Sequence, residues 1–265
     1  MENNFIYQIF YDEKTRLSND SGFLQLDNSL NERPDWSEYW PIRNYLRSHI
    51  LDANSYYGFF SPKFNSKTLL FSKTVNDIAK NSNEDVISFS PYFDQAAYAL
   101  NIFEQATANH KGIREHIFNI FNSLNSSIDV FSIVMPASKT IFCNYFIAKR
   151  DFWLEWLHTC EYLYTQAEDK NSVLYGSLNS LIPYGTSFYP VKVFIIERIA
   201  SYLLFTNRKF TVKNFDPLSL PFSNSLVASN KDRLITLNSF KEAYSNTKSP
   251  QYIDAFYNSR MKFFH

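Results

Sequence analysis

Glycine is scarce in this chain, with five in 265 residues. A sequence that uses glycine so rarely has a backbone reason for each one. Cysteine is scarcer: Cys143 and Cys160 are the only two. Both lie in apolar, helix- or strand-like stretches, so no disulfide framework is expected. An excess of one charge is also missing. The 26 basic and 26 acidic residues cancel, which argues against a dedicated nucleic-acid binder while leaving a local basic groove open. No Asp-x-Asp, His-x-x-x-His or Cys-x-x-Cys occurs. His110 and His116 are too far apart in register to share a helix face, so a structural zinc site is not expected. The absence of a P-loop, a Gly-x-Gly-x-x-Gly and a Gly-x-Ser-x-Gly removes the common triphosphatase, dinucleotide and serine-hydrolase classes. The most apolar run, Val191 to Phe205, is broken by Lys192, Glu197 and Arg198, too short and too charged to span a bilayer. Met1 to Phe5 has no signal-peptide pattern. A soluble cytoplasmic protein is expected, with peripheral contact at the inner face of a membrane left open.

Aromatics are what the chain has in quantity: 26 Phe and 18 Tyr. The core must be aromatic, and some Tyr and Trp are expected to line a cleft, where the apolar C–H face of a sugar ring stacks well. Phe5 to Tyr11 reads as a buried first strand. A polar, irregular loop follows over 13–35, then a helix within Trp36 to Leu51, with Asp35 as its N-cap and Pro41 as its start or kink. Tyr56–Phe60 and Asp85–Phe89 read as strands around a helix from Lys67 to Lys80. This order implies an α/β fold with a mostly parallel sheet. Further helices are expected over 94–108, 112–124, 152–168 (capped by Asp151), 192–205 and 250–264, and strands over 131–135 and 140–148. Length suits one domain over 1–210 with an extension over 211–265 packed on it.

Two strands end in Ser-Pro, at Ser61-Pro62 and Ser90-Pro91, where ligands collect in open α/β sheets. Ser61, Lys63 and Lys67 suit a phosphate or other anion; the alternative is that these lysines are solvated. Ser90 and Asp94 sit where a ligand-reading loop would be, although Asp94 suits a helix N-cap equally. Glu104, Gln105, Asn109 and His110 end a helix with groups able to bind sugar hydroxyls. Glu197-Arg198 interrupts an otherwise apolar helix. Charges there need partners, and burial raises a carboxylate's pKa toward general-base range; the alternative is a structural ion pair.

The block Asn144-Tyr145-Phe146-Ile147-Ala148-Lys149-Arg150-Asp151-Phe152, the helix after it, and Phe194-Ile195-Ile196-Glu197-Arg198-Ile199-Ala200-Ser201-Tyr202-Leu203-Leu204 resemble bacterial glycosyltransferases of capsule and O-antigen clusters. The resemblance covers roughly residues 5–210 and rests on pattern and order. It implies a GT-A-like fold, a single Rossmann-like sheet that binds a nucleotide sugar, a UDP-sugar first among them, and a glycan or lipid-linked glycan acceptor opposite. It places Tyr11 and Asp12 near the nucleotide, Asp85 to Asp94 near the donor diphosphate or sugar, and Asn144 and Glu197 toward the acceptor. Glu197 is then the first choice of general base and Glu104 the second. Donor contacts fall to Tyr11, Asp12, Lys63, Lys67, Asp85, Ser90 and Asp94, and acceptor contacts to His110, Asn144 and Arg198. The family's usual Asp-x-Asp metal motif is replaced by Ser88-Phe89-Ser90-Pro91. A divalent metal is therefore doubtful, and Lys63, Lys67, Lys149, Arg150 and Arg198 are the candidates to neutralise the leaving diphosphate. The competing expectation is a non-catalytic glycan- or partner-binding module.

Overall fold

The structure is a computed structural model, described here for residues 4–264. The elements are β1 (Phe5–Phe10), α1 (Glu13–Ser18), β2 (Leu24–Asp27), α2 (Tyr39–Ser48), β3 (Tyr57–Phe60), α3 (Phe64–Thr68), α4 (Ser72–Lys80), β4 (Val86–Ser88), α5 (Phe93–Tyr98), α6 (Ile102–Asn109), α7 (Ile113–Leu124), β5 (Phe146–Ala148), α8 (Arg150–Glu168), α9 (Tyr175–Asn179), β6 (Leu181–Tyr184), β7 (Ser187–Pro190), α10 (Val191–Thr206), β8 (Val212–Asn214), α11 (Lys231–Thr247) and α12 (Pro250–Met261). Six strands form one sheet in the order β2-β1-β3-β5-β4-β8. Strand β5 alone runs antiparallel to its neighbours, between β3 and β4. The fold is thus α/β with a mostly parallel mixed sheet, and β6-β7 forms a separate hairpin.

Strand periodicity sends alternate residues to two cores. Ile9, Tyr57, Phe59, Val86, Phe146 and Ala148 face the larger one with α2, α8 and α10. Ile6, Phe60, Ile87, Tyr145 and Ile147 face a smaller one closed by α3 and α4 through Phe64, Val75 and Ala79. Gly58 is fixed by packing: a Cβ there would lie 2.5 Å from Ile147 Cγ2 and 3.3 Å from Ile6 Cγ2. Strand β8 extends the sheet, and α11 packs against α5 and α12. In α12 and beyond, Phe256 and Phe263 are buried, while Tyr257 and Phe264 are exposed.

Several elements differ from the sequence reading. The 13–35 stretch holds α1 and β2. Asp35 does not cap α2; it binds Arg33 and the buried Lys192, whose Nζ lies 2.6 Å away. The expected 67–80 helix breaks at Leu69, which is left-handed (φ 59°). The expected 94–108 helix breaks at Asn101, which caps α6 by accepting from the Phe103 and Glu104 amides. Lys149, not Asp151, is the N-cap of α8. The 131–135 segment is not a strand, and 140–148 is one only over its last three residues. Side chains supply the partners a ladder would have given. Asn101 Nδ2 donates to the Ile133 carbonyl, Ser201 Oγ accepts from the Ile141 amide, and Ser90 Oγ accepts from the Phe142 amide. Among the described residues, no helix is long and apolar enough to cross a membrane.

Candidate functional site

A cleft of about 930 Å³ opens where β1, β3 and β4 end and β5 begins, the sheet edge where α/β ligands bind, in the size range of small-molecule sites. From the β1 and β3 ends come Tyr11, Thr15, Ser18, Ser61, Lys63, Ser66 and Lys67. Tyr92, Cys143 and Asn144 form the middle. The far wall comes from α6 (Gln105, Asn109), His110, the hairpin (Tyr184, Tyr189) and α10 (Phe194, Glu197, Arg198). Pro221 to Asn224 close one side.

The backbone is strained here. Among the described residues, seven non-glycine residues have positive φ, and four of them line the cleft: Ser37, Tyr92, Cys143 and Asn144. Such conformations cost energy and persist where surrounding structure over-determines them, often at functional sites. The loop before β5 is held by the Ser90 and Ser201 contacts, which present Cys143 and Asn144 to the cleft. Polar groups are also left open. Among the described residues, seven buried side-chain atoms have no hydrogen-bond partner, and three of them belong to cleft residues: Asn144 Oδ1, His110 Nδ1 and Arg198 Nε.

Lys67 Nζ lies 3.2 Å from Cys143 Sγ and 5.9 Å from the centre of the Tyr145 ring. Burial opposes its charge, but the contact with the Cys143 sulfur and the potential of Tyr92 and Glu197 outweigh it, so the pKa rises and Lys67 stays an ammonium. Burial, with Glu197 adding, pushes the Cys143 thiol up to about 11, so it stays protonated at neutral pH. The Glu197 side chain keeps 37% of its surface accessible, whereas Arg198 keeps 4%. Desolvation raises the Glu197 pKa and Glu38 adds to it, against the pull of Arg198 and Lys67. Arg198 lies 3.9 Å from Glu197 Oε2. It donates to the Phe194 carbonyl of its own helix and to Gln105 Oε1, and burial lowers its pKa to about 10, still charged at neutral pH. His110 is buried against Phe194, with ring centres 4.2 Å apart. Burial, helped by Arg198, lowers its pKa to about 3, so the imidazole is neutral. At the other end, burial and the neighbouring Glu38 raise the Tyr11 pKa.

The cleft therefore gathers ten of the candidates: Tyr11, Ser61, Lys63, Lys67, Gln105, Asn109, His110, Asn144, Glu197 and Arg198. The others lie elsewhere. Asp12 is the exposed N-cap of α1. Asp85 stands at the opposite, N-terminal end of β4, bound to the Thr211 amide and hydroxyl. Because β5 is antiparallel, Ala148 pairs with Tyr57 and Val86, which puts Lys149 and Arg150 at that same far end. Lys149 donates to the Asn83 carbonyl and Arg150 pairs with Asp151. Glu104 binds Arg260 and the Leu100 amide, outside the cleft. Ser90 and Asp94 act behind the wall. Asp94, fully buried, accepts from the Ser223 amide (2.9 Å), the Ser223 hydroxyl and the Ser225 hydroxyl (2.6 Å), so it fixes the 221–225 loop. Sequence reasoning passed over Glu38, Tyr92, Gln95, Tyr184, Tyr189 and that loop, all of which reach the cleft only through tertiary contacts. The one local signal was the aromatic hairpin flanking Gly185.

No cluster of three or more His, Cys, Asp or Glu side chains is placed to hold a metal ion among the described residues. Compared with protein-family models, curated proteins and solved structures, the chain matches none.

Proposed function

We propose that this chain is a GT-A-like glycosyltransferase of bacterial surface-polysaccharide synthesis, moving a sugar from a nucleotide donor, a UDP-sugar first, to a glycan hydroxyl. The observation that carries the reading is the placing, in one cleft at the C-terminal strand ends, of an accessible carboxylate, Glu197, and a half-buried ammonium, Lys67. A transferase needs both a base for the incoming hydroxyl and a cation for the leaving diphosphate. Lys63 and Lys67, with the hydroxyls of Ser61 and Ser66, take the diphosphate side. Glu197 accepts the acceptor hydroxyl's proton as that oxygen bonds to the anomeric carbon. The bond from that carbon to the diphosphate oxygen breaks, and the nucleotide leaves with the electron pair. Tyr11 supports the nucleotide.

The test is a thermal-shift panel of nucleotides and nucleotide sugars with EDTA or manganese, followed by turnover of any donor that binds. A ligand that binds only the native state raises Tm by mass action. One nucleotide class is expected to stabilise the protein, and Glu197→Gln to keep that shift while losing at least ~100-fold in turnover. Glycan binding with no nucleotide response would replace this reading with a glycan-binding module.

A further inference from the structure

The cleft has two chemically different ends. The β3 end carries two ammonium groups, Lys63 and Lys67, among serine hydroxyls. The α6 and hairpin end is aromatic and neutral. Tyr184 and Tyr189 are 54% and 41% exposed, large rings left open to solvent at a cleft mouth. Their rings stand 6.0 Å apart and nearly perpendicular, both within ring-contact range of Phe194. The register puts them on one face of the ribbon: Tyr189 faces Ile182 across the strands, and Tyr184 is two residues on. His110 packs against this group with its ring tilted, 5.5 Å from Tyr184.

The polar groups at this end are amides and an imidazole. Gln105 Nε2 donates to Gln95 Oε1, and Asn109 Nδ2 donates to the Gln105 carbonyl, which leaves the Gln95 amide hydrogens and the Asn109 amide oxygen for a ligand. His110 Nδ1 is buried without a partner. Among the described residues that line this end, the one cation is Arg198; it is committed to the Phe194 carbonyl and Gln105 and already has Glu197 beside it, so that lining offers no free positive charge to an anionic sugar.

From these contacts we propose that the α6–hairpin end is the acceptor subsite and that it takes an uncharged pyranose, stacked on Tyr184 and Tyr189 and read by His110, Gln95 and Asn109. The assignment rests on the transferase reading for the word acceptor; the selectivity for a neutral sugar stands on the side chains alone. An apolar C–H sugar face against a rigid ring, with hydroxyls paired to neutral donors and acceptors, is the chemistry this wall provides. A carboxylate here would meet Glu197 and lose water without gaining a free cation.

The experiment uses saturation-transfer NMR and titration of the full chain with the methyl glycosides of glucose, galactose, mannose, N-acetylglucosamine and glucuronate. UDP is titrated in parallel. At least one neutral glycoside is expected to bind, and glucuronate to bind at least about tenfold more weakly. Tyr184→Ala and Tyr189→Ala, on an exposed ribbon, are each expected to weaken the neutral glycoside roughly tenfold while UDP binding stays unchanged. His110→Phe, which keeps the ring packing, is expected to change the preference among the neutral glycosides. Binding of none of the neutral glycosides, tighter binding of glucuronate, or neutral binding unaltered by both tyrosine variants would each overturn the subsite. Neutral-sugar binding that depends on Tyr184, with no binding of UDP or of any other nucleotide in the thermal-shift panel, would keep the subsite and remove the transferase reading instead.

Discussion

Replacing Asp94 with alanine removes a buried carboxylate whose partners all lie in the 221–225 loop. Three hydrogen bonds are lost: one from the Ser223 amide and two from serine hydroxyls. Hydrogen bonds to a charged group contribute about 1.5–3 kcal/mol each, so the gross loss is roughly 5–9 kcal/mol. Two terms offset it. Burying a carboxylate costs several kcal/mol, and the freed hydroxyls, on a partly exposed loop, recover water. The net destabilisation should be about 2–3 kcal/mol, or roughly 4–10 °C in Tm. Because Pro221 to Asn224 line the cleft, the loop should also loosen. The assays are urea unfolding and limited proteolysis. Asp94→Ala should lower the unfolding midpoint and open a cleavage site within 221–226. An unfolding free energy within about 0.5 kcal/mol of the parent chain, with the same proteolytic pattern, would refute the loop-anchor argument, since surface substitutions without a structural role fall in that range.

Lys67→Met should abolish the thermal shift given by inorganic pyrophosphate or UDP while leaving methyl-glycoside binding intact; equal shifts in both proteins would sink the anion role. In turnover assays the acid limb of the pH profile should lie above the ordinary glutamate range. Glu197 must be ionised to act as base, and its pKa is raised, so activity is lost as pH falls through that raised value. For His110 the folded-state pKa is depressed to about 3. Between there and about 6.5 the unfolded chain binds a proton that the folded chain refuses. Stability is therefore full above about pH 6.5 and declines as pH falls, by roughly 5 kcal/mol at most, and His110→Phe should flatten that slope in urea titrations at stepped pH. Gly58→Ala should cost about 1–3 kcal/mol by forcing apart β1, β3 and β5 at Ile6 and Ile147; a neutral result would mean that the strands shift freely.

What local chemistry fixes was readable from the chain. The β-branched and aromatic runs at Phe5 and Tyr57 become neighbouring parallel strands, the apolar 191–205 run becomes α10, and the Ser61–Lys67 segment after a strand lines the cleft. Glycine scarcity promised a backbone reason for each glycine, but at Gly58 the reason is the close approach of the Ile147 side chain. Elements failed where long-range partners replaced local ones. The apolar 131–135 and 140–145 stretches read as strands, but side chains of Asn101, Ser90 and Ser201 satisfy their backbone, and nothing in a local window shows that. The same holds for the site. Spacing could nominate Glu197 as an odd charge in an apolar helix; it could not show that Arg198 beside it is buried while Glu197 faces the cleft. Nor could it separate Asp94, which fastens a loop 129 residues away, from a ligand contact. The antiparallel insertion of β5 decided the rest, turning Asn144 toward the cleft and Lys149 away from it. Sequence determined which segments could bury apolar surface and which residues carried charge, because those are properties of a residue and its near neighbours. Tertiary structure decided which charges meet, because strand direction and long-range hydrogen bonds set the end of the sheet on which each side chain emerges.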